Sequence, residues 1–185
     1  MPPASLAGWV RAPFMSTVPM DPISQFTIDP VTGYLLCEGN RGHEWLRYDK
    51  ELTDFIFHVE FRFTKIEGGR GYNSGVMGRN SADGVVWVQA QAGEGGTGYL
   101  FGSAPGPTGQ AVSFNLHRDM KDDRVKPAGE WNVFEFKAVG QDITSWVNGA
   151  AVSERKDFPV LKGYVGLEAE GYRIEFRNVK LKELK

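Results

Sequence analysis

The sequence predicts an all-β fold, a sandwich or barrel of short antiparallel strands, and three observations carry that reading. Its 23 glycines and 10 prolines fall between short alternating runs, the punctuation of sheets rather than of helices. In Phe55–Phe63, Phe55, Phe57, Val59, Phe61 and Phe63 alternate with Ile56, His58, Glu60 and Arg62, so one face is almost wholly aromatic and belongs in a core. Asn148-Gly149, between TSWV and AAV, is the dipeptide of a two-residue type I′ hairpin, which needs positive φ at both positions.

The same alternation test finds the other strands in order. Residues 34–38 precede the aromatic strand. Residues 73–79, NSGVMGR, and 83–91, DGVVWVQAQ, follow it as two arms of a hairpin joined by turn formers at 80–84. Residues 131–139, 142–147, 150–153, 164–168 and 173–181 complete the set, with Glu170-Gly171 dividing the last two. Residues 93–126 hold GEGGTG, SAPGPTG and RDMKDDR and read as a long loop excursion with one helical turn near 119–124. Residues 1–22 read as an extended N-terminal segment, and the whole chain as one sandwich domain.

Composition narrows the partners. At 185 residues the chain can bury roughly 70% of its unfolded surface without disulfides or metals. A net charge of −2 and the lack of any long basic run argue against nucleic acid and against an anionic membrane. No apolar run approaches the roughly 20 residues that span a bilayer. The N-terminus has neither the charged start nor the apolar stretch of a signal peptide, and localisation and oligomeric state stay open. The single cysteine, Cys37, reads as a small buried hydrophobe.

The hairpin 73–91 carries the candidate binding face. Val86, Val88 and Ala90 point one way, and Trp87, Gln89 and Gln91 the other. An indole beside two carboxamides suits stacking on a sugar ring and hydrogen bonding to its hydroxyls. The alternative is a tryptophan covered by a neighbouring loop beside a solvated face. On the facing strand Asn73, Met77 and Arg79 share that surface, and Gly75 leaves a gap for a ligand. His43, in the loop RGHEW, and Tyr99, after the second strand, join the substrate-binding set; a plain surface loop with one buried tryptophan is the competing reading of RGHEW. A glycosidase needs two carboxylates about 5 to 10 Å apart, and these strands supply none. Glu94 and Glu44 are therefore the candidate catalytic acids, with Glu168 and Glu170 near the C-terminal hairpin also considered.

Other chemistries fit poorly. Gly93, Gly95 and Gly98 match G-x-G-x-x-G, yet Tyr99 to Gly102 leads towards prolines and not into a helix that would hold a pyrophosphate. His43, His58 and His117 have no metal-ligand spacing, and His117, Asp119, Asp122 and Asp123 lack the order of a calcium loop. No metal and no cofactor are expected.

Several blocks in order resemble the 3-keto-disaccharide hydrolase domain family, long called a domain of unknown function: DFIFHVEFRF, NSGVMGR, VWVQAQ, TGYLF, PAGEWN, the VNG hairpin, and GYVGLEAEGYRIEFRNVKLKEL. The resemblance runs from about Phe26 to Leu184. It implies a concanavalin A-like (laminin G-like) jelly roll, a two-sheet antiparallel sandwich whose concave face binds a saccharide and in some members cleaves a 3-keto-glycoside. The family pattern Y-E-V-Q-I-L-D puts its glutamate at Trp87 and its aspartate at Ala92, while Gln89 is retained. Two readings follow. In the first the chain is a carbohydrate-active hydrolase in which Arg79 and Gln89 orient the sugar, Trp87 stacks, and a loop acid moves the proton. In the second it is a carbohydrate-binding module that has lost the family's acids; a protein-docking domain is a third option. A carboxylate within about 6 Å of Gln89 favours the enzyme.

Overall fold

The structure, a computed structural model, describes residues 5–14 and 19–185; it is a sandwich of two seven-stranded antiparallel sheets. One sheet runs β1 (Trp9–Pro13), β4 (Glu44–Tyr48), β13 (Tyr164–Ala169), β6 (Asn73–Asn80), β7 (Trp87–Gly93), β8 (Leu100–Pro105), β9 (Ala111–Asn115). The other runs β12 (Ala150–Arg155), β11 (Asp142–Val147), β10 (Asn132–Val139), β5 (Phe55–Phe63), β14 (Ile174–Glu183), β3 (Leu35–Cys37), β2 (Phe26–Ile28). A 3₁₀ turn at His117–Asp119 is the sole helical element among the described residues, so none of these carries a helix able to cross a membrane.

Alternation decides what each strand buries. The five apolar residues of β5 predicted to face inward are all buried, packed with Phe134 and Phe136 of β10 and Phe176 of β14. The facing sheet contributes Leu46, Val76, Val88, Ala90, Ala92, Val165 and Leu167 to the same core. Full burial of such side chains is worth about 1.5–3 kcal/mol each. The sheets meet closely at Gly78, where a Cβ would lie 2.4 Å from Cε1 of Phe136, so only glycine fits. The expected hairpin turn forms at Asn148 and Gly149, with φ of +47° and +89°.

Several loop expectations need correction. The stretch 93–126 contains β8 and β9. Its LFGSAP and AVSFN segments show little apolar alternation because they are small-residue strands, and β9 is an exposed edge. Within 41–45, Glu44 and Trp45 begin a strand and are not a loop, and Trp45 is buried. The helical turn falls at His117–Asp119 and not near 119–124. Of the segment 1–22, Trp9–Pro13 pairs with β4 as an edge strand; residues 1–4 and 15–18 lie outside the described residues.

Arg79 is the largest departure on the hairpin. Met77 pairs with Gly166, but Asn80 pairs with Tyr164, so β6 carries one extra residue there. Arg79 absorbs it at φ +58°, and the bulge turns its side chain off the outer face into the protein. It is fully buried, donating to the Val160 carbonyl at 2.8 Å, the Gly140 carbonyl at 3.2 Å and Asp54 Oδ1 at 3.4 Å. Burial lowers its pKa, against the pull of Asp54. The sugar-orienting role read for Arg79 is therefore replaced by a tie between loops. Arg79→Ala is expected to lower unfolding free energy by about 3 kcal/mol, read from the urea midpoint, because it strands buried carbonyls.

Candidate active site

The site lies on the outer face of the β1-to-β9 sheet. Because Leu46, Val76, Val88, Ala90 and Leu167 face the core, strand alternation puts Trp45, Met77, Trp87, Gln89, Gln91 and Glu168 on the opposite side. Glu168 sits across from Trp45, and Gln89 across from Met77. Ser74 Oγ donates to the Glu168 carbonyl at 2.8 Å, fastening β6 to β13 at this point.

The centre of this face is polar and buried. Glu168 has no exposed side-chain surface, and its Oε1 lies 2.5 Å from His43 Nε2. Its Oε2 accepts from Gln89 Nε2 at 2.6 Å. Beside it, Gln91 Nε2 donates to Asn73 Oδ1 at 2.6 Å, and Asn73 Nδ2 donates to Glu170 Oε2 at 2.6 Å. The gap expected at Gly75 is filled by the side chain of Gln89.

Burial pushes the Glu168 carboxyl up, partly offset by its contact with His43. Burial alone would lower His43, but hydrogen bonding and attraction to Glu168, with the charge of Glu170, raise it overall. Burial also raises Tyr99, with the charge of Glu168 adding to it. The pair is hydrogen-bonded through Nε2 and Oε1, and the ring's other nitrogen, Nδ1, has no partner among the described residues.

Aromatic rings rim this centre. His43 stacks on Phe14 at 4.0 Å, and Phe14 meets Trp87 edge-on at 5.3 Å. Trp87 meets Phe101 at 5.3 Å and 88°, and Tyr99 links Phe101 to His117. Trp87 is thus half-buried, gripped by two ring edges. Next to the rings lies a cleft of about 830 Å³ walled by Asn73, Gln91, Tyr99, Glu94, His117 and Arg118 among others.

The candidate residues thus divide. His43, Asn73, Gln89 and Gln91 come together around Glu168, while Trp87 and Tyr99 stand in the rim. Glu94 is exposed at the cleft, its Oε2 accepting from the Gly71 amide at 2.8 Å. Met77 is fully buried among Trp45, Ala12, Phe14 and Tyr164, so it is floor and not a contact surface. Glu44 shares the inward parity of Leu46. It is 2% exposed and held by Arg11 at 2.7 Å and Gln25 at 3.2 Å, which leaves it in a structural ion pair away from Glu168. Ala92, the family's aspartate position, lies in the core.

Glu168 was within reach of sequence reasoning. With Val165 and Leu167 facing inward, alternation already put Gly166 and Glu168 outward together, an acid in mid-strand beside a glycine. His43, 125 residues away, had no such signal.

Spacing also gave no hint that the fold gathers a nitrogen and two carboxylates. His43, Glu168 and Glu170 each offer a ligand atom, all within 4.8 Å of one another. Such an N,O,O set suits a divalent cation. The 2.5 Å between Nε2 and Oε1 is a hydrogen-bond length, however, whereas two atoms each about 2.0–2.2 Å from one metal stand about 3 Å apart.

The chain matches the model of the 3-keto-alpha-glucoside-1,2-lyase-like domain over residues 4–182. No curated protein matches it. Its fold is similar to that of a protein provisionally assigned as a glycosyl hydrolase from Parabacteroides distasonis, with 16% identity, 97% of this chain and 89% of that one covered, and a TM-score of 0.66. It is also similar to a carbohydrate-binding module from Bacillus subtilis, at 15% identity over 95% and 96% of the two chains and a TM-score of 0.66. A β-glucanase from Bacillus licheniformis shares the jelly roll at 11% identity, 96% and 92% coverage and a TM-score of 0.56. At such identities the likeness speaks for fold alone. The family match, which spans almost the whole sequence, shows that the chain belongs to the 3-keto-alpha-glucoside-1,2-lyase-like domain family.

Proposed function

We propose that this face cleaves 3-keto-glycosides, with His43 as the base. The observation that carries the reading is the His43–Glu168 pair: a buried carboxylate orients an imidazole whose second nitrogen is unpartnered, on the same face as Asn73 and Gln91, which wall an open cleft. A 3-keto group acidifies the C2–H bond of the sugar. His43 Nδ1 takes that proton, the electron pair forms a C1–C2 double bond, and the C1–O bond to the aglycone breaks. The departing oxygen takes a proton from an acid in the cleft, for which Glu94 is the carboxyl on its wall. Addition of water across the new double bond makes the sum a hydrolysis, the outcome expected from sequence. This route needs a base next to C2 and does not need the two flanking carboxylates of an ordinary glycosidase. Asn73, Gln91, Tyr99 and Glu170 are suited to hold hydroxyls.

Loss of the base should be severe. His43→Ala is expected to lower kcat/KM on a 3-keto-disaccharide by about 10²–10⁴; the melting temperature should fall as well, because Glu168 Oε1 loses its partner, so the rate is read at a temperature where the variant is folded. An unchanged rate would remove His43 from the chemistry.

The pH dependence has a definite sign. His43 accepts a proton only when neutral, so the rate should rise with pH through a limb above an ordinary histidine's pKa, because Glu168 and Glu170 hold the ring protonated. In Glu168→Gln the limb should move to lower pH along with a fall in kcat. A limb that stays in place would rule out the pair as the titrating unit.

A second reading has one observation in its favour: Trp87 occupies the family's glutamate position and stands in the rim with part of its ring open. On that reading the face binds a saccharide without cutting it. Trp87→Ala should then weaken calorimetric affinity by about 1–3 kcal/mol, with no product formed from any 3-keto-glycoside.

A further inference from the structure

We infer that Gly75 and Gln89 form a positioning pair that sets which nitrogen of His43 faces the substrate, Gly75 by making room and Gln89 by pinning Glu168. The inference rests on the reading of His43 as the base.

Gln89 is 2% exposed and lies across β6 to reach β13. It can do so only because residue 75 has no side chain. A Cβ on Gly75 would stand 2.3 Å from Gln89 Nε2, 2.5 Å from Cδ and 2.6 Å from Cγ. The backbone at 75 needs no positive φ, so space alone requires glycine there. The carboxamide occupies the volume a methyl group would take.

The pose carries a cost, which argues that it is imposed by the site. Gln89 Oε1 is buried and has no hydrogen-bond partner. Interiors rarely leave such a carbonyl unpaired without a functional reason. What the pose gains is the 2.6 Å contact from Nε2 to Glu168 Oε2. With that oxygen held by a donor, Oε1 is fixed as the acceptor facing His43 Nε2. The imidazole hydrogen is then kept on Nε2, and Nδ1 is left with a free lone pair, as a base requires. A carboxylate freed from Gln89 can rotate, and both ring orientation and tautomer lose their constraint. Gln89 therefore works through Glu168 and needs no contact with the sugar. This differs from the direct sugar contact read from its strand position.

The test uses Gly75→Ala, Gln89→Ala and the double variant, with two readouts. Nitrogen NMR of His43 in the free protein, above its titration, should show the Nε2–H form in the parent and a mixture of tautomers in both single variants. On a 3-keto-disaccharide, each single variant should lose about 10–100-fold in kcat, with KM held within about twofold. The double variant should be no worse than Gln89→Ala alone, because Gly75 acts only through Gln89 and the shortened side chain leaves room for a methyl group at 75. The inference is overturned if the His43 tautomer is unchanged in both single variants, or if Gly75→Ala costs as much again on top of Gln89→Ala. Should the parent turn over no 3-keto-glycoside, the reading of His43 as a base fails, while the tautomer measurement still decides whether Gly75 and Gln89 set the ring.

Discussion

A carboxylate closed off from water has to be surrounded by donors, and the outer face of this sandwich is arranged to meet that demand at Glu168. Its two oxygens are taken by an imidazole on one side and a carboxamide on the other, at 2.5 and 2.6 Å. Each partner in turn needs support. His43 lies against Phe14, and Gln89 lies in the gap over Gly75. In a medium of low polarity such contacts are stronger than in water, and an unmet one is more costly. The burial of one side chain thereby ties together the N-terminal edge strand's continuation, the loop before β4, the hairpin of β6 and β7, and β13.

That demand can be met only because the sheet beneath is stiff. The interior is packed with phenylalanines from β5, β10 and β14, and the small residues of β6, β7 and β13 allow the second sheet close to them. Gly78 under Phe136 marks one such close approach. Interiors at this density do not yield easily, so the register of β6 against β7 and β13 is held, and with it the positions of Asn73, Gln89 and Glu168. Arg79 contributes differently from what its strand position suggests: by folding inward at the bulge it fastens the loops at 140 and 160.

In the function proposed, the aromatic rim and the polar centre divide the work of holding a sugar. Rings offer faces and edges to apolar sugar surface, while Asn73, Gln91 and Tyr99 present hydrogen-bonding groups on the wall of the cleft. Trp87, gripped by Phe14 and Phe101, is a rigid part of that rim. The buried carboxylate at the centre of this face, Glu168, comes from β13 and not from β7, where the family pattern carries its glutamate.

Alternation along each strand was legible in the sequence by itself. It placed the aromatic face of β5, the Asn148-Gly149 turn, and the outward set Asn73, Trp87, Gln89 and Gln91, because a side chain's face follows from its parity and the core selects one parity. Small-residue and edge strands such as β8 and β9 left little trace, since neither face of an edge need be apolar. The bulge at Arg79 broke parity at one residue and moved that side chain from face to interior. The meeting of His43 with Glu168 across 125 residues, and the sequestering of Glu44 by Arg11, were settled by strand order. Which distant strands lie side by side depends on how the whole core closes, and no local pattern in the chain carries that information.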